Sequence, residues 1–199
     1  PYGSDAYAGQ VGDAGTTSIG GGPGNQWNHR GTISEVIVYR TKLTATERRR
    51  VNSYLGLKYG RILDRVGVGG NIWNSAGNSI FSDGGVATYW RDVIGIGRDD
   101  NSALVQKQSQ QMNDSLRLYL NTLVASNATN AGTFSANNQF MVMGHNGNAT
   151  CITDDGSLTR PVSIAARMPR TWKITNTGFN GTFSVDIQLG LCGIVGTYA

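Results

Sequence analysis

The sequence is poor in charge, cysteine, histidine and proline. Of its 199 residues 15% are charged, four are Pro, two are Cys and two are His. Average soluble proteins carry about 25% charged residues. The shortfall excludes a coiled coil, a charged helical bundle and a highly charged disordered tail. No run of 18 apolar residues occurs, so no segment reads as a membrane-spanning helix. Pro1-Tyr2-Gly3-Ser4 has neither the basic nor the apolar region of a signal peptide, and without a starting Met the chain reads as an excised piece. With His29 and His145 the only histidines and no Cys-x-x-Cys spacing, a zinc site, which wants four suitable ligands, is not the expected reading. No G-x-S-x-G, H-E-x-x-H or P-loop pattern is present, and the chain is not expected to be an enzyme.

Small neutral side chains stand where charge is missing. Gly contributes 28 residues, and 18 Thr, 17 Asn and 15 Ser together make a quarter of the chain. This balance favours a β-rich, loop-rich extracellular module. The formal charge is +4, with 13 of 17 bases Arg and 11 of 13 acids Asp. The one tight basic run, Arg48-Arg49-Arg50, lies on an expected helix, so nucleic acid is not an expected partner. Short carboxylates in loops suit calcium, which takes six to eight oxygens; Asp is equally a plain turn residue. Cys151 and Cys192 form one disulfide in an oxidising compartment or stand as two buried thiols. Asn113, Asn127, Asn148 and Asn180 each begin an Asn-x-Ser/Thr sequence, as chance provides in an Asn- and Thr-rich chain.

Residues 1–30 read as Gly-rich loops. Thr32 to Tyr39, β-branched throughout and apolar on both faces near its end, is expected to be a covered strand. The helix that follows carries the clearest local signals. Thr44 and Glu47 make a capping box, Leu43 precedes the cap, and Gly60 supplies the stop. Val51, Tyr54, Leu55 and Lys58 are expected to form its inner face, Lys58 reaching back to solvent. Beyond it come short strand candidates divided by turn residues: Arg91–Gly97, Leu104–Gln108, Leu116–Leu120, Phe140–Met143, Trp172–Thr175 and Phe183–Ile187. Their spacing points to an all-β sandwich, jelly-roll or laminin-G-like, with one amphipathic helix at about residues 45–59.

Two stretches carry a family resemblance. Gly31-Thr32-Ile33-Ser34-Glu35-Val36-Ile37-Val38-Tyr39, Leu43-Thr44-Ala45-Thr46-Glu47-Arg48 and Tyr54 to Gly60 resemble the closing strand and helix of bacterial laminin-G/concanavalin-like sandwiches. Ile94 to Asp100, Gln106 to Ser109, Met143 to Gly147 and Arg170 to Ile174 resemble an uncharacterised β-domain that follows such sandwiches in large secreted surface proteins. The pair is similar to the calcium-dependent peptide-binding domains of giant repeat-containing (RTX) adhesins. That resemblance implies a monomeric module of a secreted or cell-surface bacterial protein that grips a peptide's C-terminal end for adhesion or biofilm formation. It divides the chain at about residue 60, with 1–60 as the closing strand and helix of a composite unit and 61–199 as the ligand-binding sandwich. A glycan ligand, or a spacer with no ligand, are the alternatives.

The candidate residues follow from these readings. Asp99, Asp100 and Asn101 pack two carboxylates and an amide into one turn, as an oxygen-only calcium site requires, although an Asx-type turn with Arg98 pairing to a carboxylate fits as well. Asp154-Asp155 and Asp83-Gly84-Gly85 are weaker turns of the same kind. Carboxylate capture needs forked donors or backbone N–H groups. Arg98, Arg167 and Arg170 supply the forks, and Gly144-His145-Asn146-Gly147-Asn148 supplies a loop of amides. Arg98, Gln108, His145, Asn146 and Arg170 are therefore the expected ligand-binding set. Trp90 and Trp172 are candidate floors for a pocket, with the core as the better place for Trp172.

Overall fold

The computed structural model describes residues 29–60, 71–82, 88–111, 116–151 and 168–187. The chain divides into two compact units, Pro1–Lys42 and Leu43–Ala199. In the first, the described residues 29–42 form neither helix nor strand. The strand expected at Thr32–Tyr39 is thus absent, and Ile33, Val36, Ile37, Val38 and Tyr39 are exposed. β-Branched residues favour a strand only where a neighbouring strand and a covered face exist. None of the described strands forms a ladder with this segment.

The second unit opens with helix α1, Ala45–Tyr59. The Thr44 hydroxyl accepts from the Glu47 N–H at 3.2 Å, and the Glu47 carboxylate accepts from the Thr44 N–H at 2.7 Å. Gly60 closes the helix at φ 64°, and a Cβ there would also sit 2.7 Å from the Gln110 carbonyl oxygen. The buried face differs from the expected one: Ser53, Gly56 and Leu57 are buried, whereas Val51, Tyr54, Leu55 and Lys58 are only partly covered. Close packing through small residues decides this. The Ser53 hydroxyl donates to the Arg49 carbonyl at 2.8 Å and accepts from the Trp73 N–H at 3.0 Å, so its burial leaves nothing unpaired. Lys58 turns its ammonium to the Tyr54 hydroxyl at 2.7 Å.

Nine strands follow among the described residues: β1 Ile72–Trp73, β2 Ser79–Phe81, β3 Arg91–Asp99, β4 Leu104–Gln106, β5 Gln108–Gln110, β6 Leu116–Tyr119, β7 Gln139–His145, β8 Trp172–Thr177 and β9 Ser184–Ile187. They form three antiparallel sheets, ordered β1-β2, β4-β3-β7-β8 and β5-β6-β9. The fold is an all-β, sandwich-like one with a single α-helix among the described residues. The strands read from the sequence beyond residue 90 are present within a few residues of their expected bounds, except that the one expected at Leu104–Gln108 is two, β4 and β5, which break at Lys107 and join different sheets.

The four-stranded sheet is covered on both sides, which explains why β3 and β7 read as unbroken apolar runs. Side chains alternate across a strand. Ile94, Ile96, Met141 and Met143 join Leu116, Leu118 and Leu120 beneath the three-stranded sheet, with Phe134 and Phe179 completing that core. Val93, Phe140 and Val142 face Leu57 of α1, Ile72 of β1 and Ile80 and Phe81 of β2. A Cβ at Gly95 would collide with the Leu57 side chain and lie 3.2 Å from Val142, so this glycine admits Leu57 onto the sheet.

Candidate functional site

β3, β7 and β8 bring their ends together at one edge of the sandwich. Arg91 pairs with His145, and His145 with Trp172, across the ladder. Between Arg91 and Ile94 the β3–β7 register shifts, and Asp92 takes a left-handed φ of 45° there. Such a conformation is unusual for a non-glycine residue. It is held by two neighbours. The buried Gln111 amide donates to the Asp92 carbonyl, and the Asp92 carboxylate lies 3.1 Å from His145 Nε2.

His145 is buried, and its other nitrogen, Nδ1, accepts from the Gly147 N–H at 2.9 Å. Accepting at Nδ1 fixes the neutral ring with its proton on Nε2, directed to Asp92. Asn146 then binds the β8 side of the edge. Its Oδ1 accepts from the N–H groups of Asn148 at 3.1 Å and Thr171 at 3.3 Å, and its Nδ2 donates to the Pro169 carbonyl at 3.1 Å. Arg170 Nε donates to the Asn148 carbonyl at 2.6 Å. Burial lowers the Arg170 guanidinium from its ordinary value and the Asp92 charge opposes this; it stays charged at neutral pH.

The expected ligand-binding residues occupy three separate places. His145, Asn146 and Arg170 share the edge just described. Arg98 lies seven residues along β3 from Arg91, about 23 Å away at strand rise, and Gln108 lies on another sheet. Arg98 forms a two-point pair with Asp100, Nε to Oδ1 at 2.7 Å and Nη2 to Oδ2 at 3.0 Å. The pairing raises the Arg98 guanidinium above its usual value. Gln108 uses both ends of its amide on the backbone of Val124, at 2.8 and 3.2 Å, as a clamp for the loop that follows β6.

The expected calcium turn is likewise divided. Asp99 is buried, and its carboxylate accepts from the Ser75 N–H at 2.8 Å and the Ser75 hydroxyl at 2.6 Å. Asp100 is exposed and bound to Arg98, while its N–H donates to Asn137. Asn101 sits exposed in the short 3-10 turn Asp100–Ser102. Arranged so, the two carboxylates serve different protein partners. Among the described residues no group of three or more His, Cys, Asp or Glu side chains is placed to hold a metal ion. Asp83, Asp154, Asp155 and Arg167 lie outside the described residues.

Arg91 is the residue that sequence reasoning passed over. Its guanidinium stands over the Trp90 ring, 4.7 Å from the centroid, on an exposed residue whose forked donors meet no acceptor among the described residues. Its stem lies against Gly147, whose φ of 81° brings the 146–148 loop up to it. The signal was the Trp90-Arg91 dipeptide at the head of a long apolar strand. Trp172 is partly buried and packs on the core beneath the three-stranded sheet.

Cys151 is disulfide-bonded. The other cysteine of the sequence, Cys192, lies outside the described residues. No helix among the described residues is long and apolar enough to cross a membrane. Neither a curated protein nor a solved structure matches the chain. A family model does match, over residues 47–197, from the first turn of α1 onward, and the chain belongs to the family described as Domain of unknown function (DUF8202).

Proposed function

We propose that this chain is a binding module of a large secreted bacterial surface protein, and that it captures an extended peptide by its C-terminal carboxylate. The observation that carries the reading is Arg91. Stacking on Trp90 orders its fork in advance, and no acceptor among the described residues competes for it. Arg170 adds a second positive charge at the same edge. The disulfide at Cys151 supports an oxidising, extracellular setting. Arg98, engaged by Asp100, has no part in this reading. A glycan platform is disfavoured, because Arg91 covers Trp90 and Trp172 is packed on the core. Presented in many copies, such modules hold a cell through avidity even where each site is weak.

Titration calorimetry with a peptide mixture carrying free or amidated C-termini tests it. Free acids are expected to bind about tenfold or more tightly than amides, the worth of one charge-assisted pair. Arg91→Ala is expected to abolish the difference and Arg98→Ala to leave it. Equal binding of both forms overturns carboxylate capture, and no binding of either favours the spacer reading. Calcium dependence has its own test. For the ion to order the Asp99–Asn101 turn, Asp100 must exchange Arg98 for it. Thermal unfolding with calcium, then chelator, reads this as a shift of about 8–16 °C at a thousandfold excess over Kd.

A further inference from the structure

We infer that Asn146-Gly147 is a self-modification site, where the chain converts its own asparagine through a cyclic imide to aspartate or isoaspartate. Three parts of an acyl-transfer centre meet there. The Gly147 nitrogen, the atom that must attack the Asn146 side-chain carbonyl, donates its proton to His145 Nδ1 at 2.9 Å. His145 is oriented from behind by Asp92, 3.1 Å from Nε2. The Asn146 carbonyl oxygen accepts two backbone N–H groups, from Asn148 at 3.1 Å and Thr171 at 3.3 Å, the arrangement that stabilises a developing oxyanion. A base, its orienting carboxylate and an oxyanion cradle thus surround one amide.

The step balances without any added oxidant or cofactor. His145 Nδ1 takes the Gly147 N–H proton, and the Gly147 nitrogen bonds to Asn146 Cγ. The tetrahedral centre collapses with cleavage of Cγ–Nδ2, and His145 returns the proton to the leaving nitrogen, which departs as ammonia. Water then opens the imide at either carbonyl, giving aspartate or isoaspartate. This is a single event in the chain's own backbone. Its effect on peptide binding, a new carboxylate beside Arg170, rests on the reading above, but the conversion itself does not.

The sequence supplies an internal reference. Asn180-Gly181 is its one other Asn-Gly pair, and there the Asn180 oxygen accepts from the side chains of Ser135 and Gln139, at 2.9 and 3.2 Å, with no backbone N–H donor to it and no histidine at the following nitrogen among the described residues. The purified chain is held at neutral pH, digested, and followed by mass spectrometry for imide, aspartate and isoaspartate at both sites. Asn146 is expected to convert on the order of 10²-fold faster than Asn180, the scale of general-base catalysis. His145→Gln is expected to bring the two rates together without changing Asn180, and Asp92→Asn to lower the Asn146 rate part of the way. The wild-type chain in urea gives the same comparison should a variant fail to fold, since unfolding removes the base and must level the two rates. Equal rates in the native wild type overturn the inference. So does a ratio that survives His145→Gln or unfolding.

Discussion

Asp99 and Asp100 are neighbours in sequence with different partners. Asp99 is buried and caps the turn around Ser75, while Asp100 is exposed and pairs with Arg98. Asp99→Ala would strand a buried N–H and a hydroxyl, and is expected to cost about 1–3 kcal/mol in urea unfolding. Asp100→Ala, at an exposed ion pair, is expected to change stability by no more than about 1 kcal/mol. The reverse ranking would mean that the exposed pair, not the buried carboxylate, anchors the turn. At the start of α1, the backbone N–H and then the hydroxyl of Thr44 hold the Glu47 carboxyl below its ordinary value, with Arg50 adding to the effect. A depressed value in the folded state means the contribution is present above the unfolded carboxyl's range and lost as pH falls through the folded value. Glu47→Gln is expected to remove that part of the acid dependence, read by following helix content through an acid titration.

At the scale of elements, local chemistry was legible and partnership was not. The bounds of α1 were readable because Thr44, Glu47 and Gly60 act on the backbone within a turn of themselves. Its buried face was not, because Ser53 and Gly56 are chosen by the sheet they approach, and small residues leave no apolar period. The strands β3 and β7 were readable from continuous burial. Thr32–Tyr39 has the same composition, but none of the described strands forms a ladder with it, and no strand results. Nor could the sequence tell that Arg91 and Gly147 meet, since a register shift at Asp92 decides it. Gly144 tests the close approach of elements. A Cβ there would run into the Tyr89 carbonyl oxygen and stand 2.7 Å from Val93 and 3.2 Å from Phe81. Gly144→Ala is expected to cost about 1–3 kcal/mol by overpacking, measured by denaturant midpoint. Between β6 and β9, the Tyr119 hydroxyl donates to Asp186 at 3.1 Å, which raises the phenol above its usual value. That contribution holds below the ordinary tyrosine range and is lost as pH rises through the folded value. Tyr119→Phe should therefore flatten the alkaline limb of a stability profile.

Over the whole molecule, the disulfide at Cys151 is a covalent tie in a fold otherwise held by sheets, and its reduction is expected to lower stability by about 2–5 kcal/mol. Unfolding with and without a reducing agent measures this, and an unchanged midpoint would mean that packing holds the fold without the bond.

The loops themselves are fastened by neutral amides. Asn130, fully buried, donates to the carbonyls of Leu120 and Thr122 and accepts from the Gly132 N–H; Gln139 ties residues 135–136 to Gly178; Asn146 ties β7 to the approach of β8. Bonds between uncharged groups are not screened by dissolved ions, whereas an exposed guanidinium meeting a carboxylate is, within about 8 Å at physiological ionic strength. The scaffold should thus keep its shape from dilute water to brine, and under the carboxylate capture proposed for Arg91 the grip would loosen over the same range, salinity alone releasing the peptide without unfolding the protein.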